Sequence, residues 1–297
     1  MKICFVGGGN IAQAIIDGLL KSQLPPEAIV CIERNQEKID LLKNQKITVA
    51  SFECLSEDIF DLIVLAVKPK DALVVAQKIE DLAPHSNILT VVAGIGISKY
   101  PTSASIIRSM PNTASAYNKG ITALYAEDQE APAFKNACDL FERVGHIMVM
   151  ENEDDIHAFT SIIGSGQAFL FQVLNIYLGE LKAINKGNDE HAINIFQDFV
   201  SSLGDLFGKE RDFEMLINKI KSPGGTTQAG LESLEDSKID SIKILFYFLD
   251  SILKITICLF LARFKKNCVK FSQITQFQKK IQPKTLPHLI KPKSRFE

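Results

Sequence analysis

Through its first half the chain alternates short apolar runs with amphipathic stretches, and beyond Glu151 a 3.6-residue period takes over. Ile3 to Val6, Ala28 to Ile32, Asp61 to Val67, Ile88 to Ala93, Ser105 to Met110, Gly120 to Ala126 and His146 to Met150 predict strands. Continuous apolar runs of this length suit strands buried on both faces of a parallel sheet. The stretch ending near Lys21, Asp71 to Leu82, and Glu130 to Arg143 predict helices. This alternation makes residues 1–152 an α/β domain with a doubly wound sheet. Residues 153–241 predict an all-helical second domain. One helix starts at Asp154 and is interrupted at Ser165-Gly166-Gln167; others span Ala168 to Leu181, Asp189 to Phe207 with Asp189 as N-cap, and Phe213 to Ile220.

The first strand runs into Gly7-Gly8-Gly9-Asn10-Ile11-Ala12, and the second ends in Glu33-Arg34-Asn35. Strand, Gly-x-Gly-x-x-Ala, helix, strand and acid together form the dinucleotide fingerprint of a Rossmann-type sheet. Gly7 permits the tight turn, Gly9 lets a pyrophosphate approach the backbone, and Ala12 lets helix and strand pack closely. Glu33 suits a ribose 2′-hydroxyl and hence NADH. Arg34 beside it suits a 2′-phosphate and hence NADPH. NADPH is expected as the cofactor, with some use of NADH. Ligands of such sheets bind beyond the carboxyl ends of the strands. That adds Ala66, Val67, Lys68 and Pro69, then Ala93 and Gly94, then Asn112. Asn112 would bond the nicotinamide amide or a substrate; after Pro111 it equally suits a turn.

Lys221 to Glu232 reads Lys-Ser-Pro-Gly-Gly-Thr-Thr-Gln-Ala-Gly-Leu-Glu. Pro223 fixes φ, and Gly224 and Gly225 let backbone amides approach a ligand. A helix starting at the threonines offers free N–H groups carrying partial positive charge. The stretch is either an ordinary capped turn or a site for a carboxylate or phosphate.

Composition narrows the class. The 297 residues are 46% hydrophobic and 23% charged, a globular balance with room for two domains. The six cysteines are scattered without a Cys-x-x-Cys pair, and the five histidines lack metal-ligand spacing. Neither a metal site nor a disulfide framework is expected, and the thiols read as buried and free in a reducing compartment. Lys2 leads straight into the first strand, with no signal-peptide pattern, so a cytoplasmic location is expected. The net charge of −2 conceals an asymmetry. Twelve of the 33 Lys and Arg, but two of the 35 Asp and Glu, lie from Ile242 to Glu297. Residues 242–297 therefore form a third segment, a tail that is apolar to Leu261 and then basic. Lys243, Asp250 and Lys254 argue against a membrane span. From Arg263 the Lys-, Gln- and Pro-rich composition predicts disorder. No nucleic-acid partner and no membrane contact by the tail are expected.

Several separate motifs, in order, resemble the pyrroline-5-carboxylate reductase family, which completes proline synthesis. They are Val6 to Ala12 (VGGGNIA), Ala66 to Pro69 (AVKP), Val92 to Gly94, Arg108 to Thr113 (RSMPNT), Gly164 to Ala168 (GSGQA) and Ser222 to Glu235 (SPGGTTQAGLESLE). The resemblance covers roughly residues 1–241. It implies hydride transfer from NADPH to the imine carbon of 1-pyrroline-5-carboxylate, in a homodimer or larger homo-oligomer whose helical domains interlock around a substrate site shared between subunits. It further implies that Ser222, Gly224, Gly225, Thr226 and Thr227 hold the substrate carboxylate, with the Thr227 hydroxyl near the ring nitrogen as the catalytic group. The amides of Gly225, Thr226 and Thr227 would take the carboxylate.

The chain departs from the family pattern twice. Gln167-Ala168-Phe169 stands where Pro-Ala-Tyr is usual. After Ser241 the usual Ala-, Arg- and Glu-rich helix gives way to the tail, and a shifted reading frame is the explanation favoured over an extension that binds anionic lipid or nucleic acid. The alternatives to the family's reaction are another imine reductase, a β-hydroxyacid-type dehydrogenase, or a dinucleotide-binding protein impaired by its tail. The β-hydroxyacid reading lacks its lysine, since Ala168 to Leu181 carries none.

Overall fold

Eight strands form one sheet: β1 (Ile3–Val6), β2 (Ile29–Ile32), β3 (Thr48–Ala50), β4 (Leu62–Leu65), β5 (Asn87–Thr90), β6 (Ser105–Met110), β7 (Gly120–Tyr125) and β8 (Gly145–Val149). The structure is a computed structural model, and it describes residues 1–101 and 103–236. The expected tail over 242–297 lies outside the described residues. The strand order is β3-β2-β1-β4-β5-β6-β7-β8, so the order reverses between β1 and β4. Cys4 pairs in parallel with Val30 on one side and Ile63 on the other. Strands β1 to β6 run parallel, whereas β7 pairs antiparallel with β6 and parallel with β8. The pattern of apolar runs did not show that reversal. Its cause is the link from β6 to β7, a 3₁₀ turn over Thr113–Tyr117 closed by Asn118 at φ 53°. A parallel return needs a crossover of a dozen or more residues.

Five helices cover this sheet: α1 (Asn10–Lys21), α2 (Gln36–Asn44), α3 (Cys54–Glu57), α4 (Pro69–Leu82) and α5 (Pro132–Glu142). Alternate residues of one strand enter opposite cores. Ile3 and Phe5 of β1 join Leu62 and Val64 of β4 beneath α1 and α5. Cys4, Val6, Ile63 and Leu65 join Ala72, Ala76 and Ile79 of α4 on the other face. Burying one such Ile, Leu or Phe side chain contributes about 1.5–3 kcal/mol. Both faces being covered explains why the strands read as unbroken apolar runs. Cys4 and Cys31 are buried free thiols in these strands, and burial pushes the Cys31 thiol up to about 12.

The helical segment comprises α6 (Asp155–Phe159), α7 (Gly166–Ile184), α8 (Asp189–Glu210), α9 (Phe213–Ile220) and α10 (Thr226–Asp236). Three expectations change here. Asp154 precedes the first helical residue and makes no side-chain cap bond. The interruption falls earlier than Ser165-Gly166-Gln167: a π turn over Thr160–Gly164 joins α6 to α7, with the Ser165 amide reaching the Thr160 carbonyl at 2.8 Å. Thr160 and Ser161 donate their hydroxyls back to the carbonyls of Ile156 and His157, which stabilises the widened turn. The cap of α8 is Asn188, whose side chain accepts from the His191 amide, and Asp189 is the first helical residue.

Arg211 closes α8 in the left-handed region at φ 55°, and Asp212 caps α9 by accepting from the amides of Glu214 and Met215. That reversal stacks Phe207 on Phe213 with ring centroids 4.3 Å apart. Unlike the sheet, these helices bury little. In α7 the sole buried residue is Gly166, while Phe171, Ile176 and Tyr177 are exposed.

Candidate nucleotide and substrate site

At the carboxyl ends of β1, β2 and β4 the chain opens a cavity of about 920 Å³. Gly7, Gly9, Glu33, Arg34, Asn35, Ala66, Val67 and Lys68 all border it, as does Val6. Gly7 has φ +102°, and a Cβ there would stand 2.7 Å from the Ala66 carbonyl oxygen. Only glycine permits both the backbone and the approach. At Gly9 a Cβ would meet nothing nearer than 3.9 Å, so its open side faces the cavity. The free N–H groups at the start of α1 follow at once, which is a phosphate-binding arrangement.

The other expected nucleotide residues are placed differently. Gly8 donates its amide to Glu33 Oε2 at 2.7 Å. Ala12 is fully buried, and Ile11 packs against the same core. Pro69 opens α4. Ala93 and Gly94 follow β5, outside the lining of this cavity. Asn112 is buried, and its Oδ1 accepts from the Ile121 amide at 3.1 Å. That bond ties the end of β6 to β7 and occupies the oxygen that would otherwise be offered to a ligand.

Cations dominate the cavity. Arg34, Lys38, Lys68, Lys70 and Lys78 border it, against Glu33, Glu53 and Asp71. Lys78 lies over the Phe52 ring at 4.0 Å. Lys38, Phe52, Lys70 and Lys78 are lining residues that sequence reasoning missed. They come from α2, α4 and the segment after the edge strand, and adjacency in sequence gives no signal of that convergence. Glu33 accepts from the amides of Gly8, Arg34 and Asn35. Burial works against its ionisation, but those amides and Lys38 outweigh it and hold the carboxyl below its usual range.

A second cavity of about 570 Å³ lies on the α1 side and is lined by Asn10, Gln13, Asp17, Thr113, Gln167 and Phe171, among others. Asn10 follows Gly9 directly, so both cavities border the glycine turn. Thr113 Oγ1 donates to Gln167 Oε1 at 3.4 Å. Three motifs far apart in sequence thus converge: the glycine turn, the segment after Pro111, and Gly164 to Ala168. Gln13 and Asp17 lie on one face of α1 and hydrogen-bond to each other and to Gln45.

The sheet and helical segments are joined by an ion pair between a buried arginine and a half-buried glutamate. Arg108 of β6, 1% exposed, donates to Glu153 Oε1 at 2.9 Å, and the Ile97 amide donates to the same oxygen at 2.7 Å. Glu153, two residues before α6, is thereby bonded into the sheet.

In the Lys221–Glu232 stretch, Gly225 donates its amide to the Ser222 carbonyl at 3.0 Å and Gly224 takes φ +67°. Pro223 and Gly224 thus hold the two central places of a type II turn. The Gly225 amide expected to bind a carboxylate is spent in that turn. Gln228 Oε1 accepts from the Gly224 amide at 3.0 Å. Thr226 and Thr227 are the first residues of α10, where amide protons lack helical partners. None of Ser222 to Thr227 borders either cavity.

Comparison with known proteins gives a consistent result. The family described as NADP oxidoreductase coenzyme F420-dependent matches residues 2–94, and the one described as pyrroline-5-carboxylate reductase dimerisation matches residues 153–245. Pyrroline-5-carboxylate reductase 2 of Bacillus subtilis is 32% identical over 256 residues, covering 80% of this chain and 88% of that protein. The Aquifex aeolicus pyrroline-5-carboxylate reductase is 32% identical over 246 residues, covering 80% and 89%. Among solved structures, a Coxiella burnetii pyrroline-5-carboxylate reductase aligns with TM-score 0.71 at 25% identity over 87% of this chain and 98% of that one. The Plasmodium falciparum pyrroline carboxylate reductase with NADP bound shares the fold, with TM-score 0.75 at 23% identity over 86% and 97%.

Proposed function

This chain belongs to the pyrroline-5-carboxylate reductase family, and from that premise we propose that it reduces 1-pyrroline-5-carboxylate to L-proline with NADPH. The single observation that carries the reading is the pairing of a cation-rich nucleotide cavity at the sheet with a Pro-Gly-Gly-Thr-Thr turn on the dimerisation segment. Residues 1–152 act as the nucleotide domain and residues 153–241 as the substrate and dimerisation domain. NADPH, when bound, supplies the hydride.

The chain's residues supply position and charge. Gly7 and Gly9 admit the pyrophosphate, and the amides opening α1 neutralise it. Arg34, with Lys38 and Lys78 nearby, favours the 2′-phosphate over a bare ribose, so NADPH is preferred and NADH is used less well. The amides of Thr226 and Thr227 take the substrate carboxylate at the positive end of α10. This orients the ring so that its imine carbon faces the nicotinamide, which supplies much of the rate by orientation alone. The Thr227 hydroxyl donates a hydrogen bond to the ring nitrogen, and water restores its proton. An imine that arrives protonated needs no strongly shifted acid at the reacting atom.

The turn borders neither cavity of its own chain, and α7 to α9 leave Phe171, Ile176, Phe199, Leu203, Phe213 and Ile220 exposed. A second copy covers that face and brings its turn to this chain's nucleotide. The helical stretch Asp155–Ile184, which includes the π turn and is long and apolar enough to cross a bilayer by length and composition alone, is explained by the same burial against a partner.

The test is the initial rate of NADPH and NADH oxidation with 1-pyrroline-5-carboxylate, with proline quantified as product. Proline equal to NADPH consumed is expected. Tight nucleotide binding with no proline formed would leave the chain a binding protein.

A further inference from the structure

An acid at the end of the second strand ordinarily offers its oxygens to ribose hydroxyls. Glu33 sits at that place and borders the cavity, but its oxygens are taken up by the backbone. Its side chain is 9% exposed. Oε2 accepts from the Gly8 amide at 2.7 Å, and Oε1 accepts from the amides of Arg34 and Asn35 at 2.8 and 2.9 Å. A carboxylate offers about four acceptor positions, so three are already committed to backbone and a two-oxygen grip on a ribose is unavailable. The contact with Gly8 is close on both sides: a Cβ there would stand 3.2 Å from Oε2. Glu33 therefore pins the middle of the glycine turn to the corner that carries Arg34. Asn35 continues the brace by capping α2 through the Lys38 amide.

Four of the five positive side chains of the same cavity stand in contrast, the fifth, Lys38, lying 3.9 Å from Glu33 Oε2. Arg34, Lys68, Lys70 and Lys78 border it, and among the described residues none of them forms an ion pair.

We infer that Glu33 is a positioning residue, which fixes the glycine turn and the Arg34 corner for either nucleotide, and that discrimination at the 2′-position belongs to Arg34. The inference rests on the nicotinamide-nucleotide reading above. It deepens that reading by removing the acid from the specificity ledger: in this chain its presence does not signal NADH.

The experiment is calorimetric titration of the full chain with NADPH and NADH, for the wild type, Glu33→Gln and Arg34→Gln. It is run well below the melting transition, where lost stability alone leaves Kd unchanged. Glu33→Gln sets an amide NH2 or a weaker acceptor against the three backbone donors. It is expected to weaken both nucleotides by roughly tenfold, with their ratio held within about twofold. Arg34→Gln is expected to weaken NADPH by roughly tenfold and NADH by less than about twofold. Saturating nucleotide should restore kcat in Glu33→Gln. Weakening of NADH alone in Glu33→Gln would make Glu33 a ribose ligand and overturn the inference, as would no change for either nucleotide. Should Glu33→Gln fail to fold, Glu33→Asp, too short to reach both sets of amides, is expected to show the same paired weakening. Wild-type turnover of 1-pyrroline-5-carboxylate is measured alongside. Its absence would sink the reductase reading while the binding ratios still judge Glu33.

Discussion

The sheet segment and the helical segment are both rich in apolar residues and dispose of them in opposite ways. Phe5, Ile63 and Phe141 are almost wholly buried, whereas Phe171 is 64% exposed, Ile176 60% and Phe213 65%. The sheet has two faces and covers both with helices of its own chain, so its apolar positions are consumed locally. The helices α7, α8 and α9 carry apolar residues over more of their circumference than their neighbours can cover. The difference teaches that a long apolar helix reports a missing surface, and here the family's dimerisation segment coincides with it.

The largest effect should come from breaking the helical side alone. Ile176→Glu puts a charge on the exposed apolar face that a second copy is proposed to cover. Light scattering should show monomer and proline formation should fall to background, while NADPH affinity stays within about twofold because the nucleotide cavity lies wholly on the sheet segment. A fully active monomer would dissolve the link between exposed apolar face and catalysis. Thr227→Ala comes next: kcat should drop about a hundredfold, the scale of a lost proton-donating contact, with nucleotide Kd unchanged. An unaltered kcat would remove Thr227 from the reaction.

Breaking the sheet side should give the reverse pattern. Phe141→Ala empties a fully buried site beneath α5 and should cost about 3–5 kcal/mol, read as a lower melting temperature. Oligomeric state measured below that transition should not change. The smallest effect is a pH dependence. Glu33 is held below the usual carboxylate range, so its contribution is whole above about pH 4.3, its unfolded value, and fades as pH falls from there through the lowered folded value. Wild-type melting should therefore decline more steeply than that of Glu33→Gln as pH falls below about 4. Parallel declines would mean that the backbone amides do not stabilise the ionised form.

Legibility in the sequence followed the same division. Strands buried on both faces are unbroken apolar runs, and β1, β2 and β4 stand where those runs stand. The edge strand β3 has three residues, none of them buried, and such a strand leaves no run to see. The antiparallel turn into β7 depended on the length of a link, not on any strand's composition. The cap of α8 moved by one residue because Asn188 and Asp189 are both good caps and only geometry chooses between them. At the site, the glycine turn and the Glu33-Arg34-Asn35 corner were legible as contiguous motifs. Lys78 and Phe52 were not, since they become neighbours only when α4 packs beside the segment after β3. The direction in which Glu33 and Asn112 point was equally hidden, because each had two chemically sound partners and the fold supplied the nearer one.

The central claim is that the nucleotide of one copy meets the Thr226–Thr227 turn of another. Subunit mixing tests it directly. Gly9→Asp places a carboxylate where the pyrophosphate is proposed to lie, and Thr227→Ala disables the turn, so each variant alone should be nearly inactive. After subunit exchange of the two in equal amounts, shared sites predict recovery of about a quarter of wild-type activity, since half the dimers are mixed and each has one intact site. No recovery, with mixed dimers demonstrated, would place the turn and the nucleotide in the same chain and contradict the account.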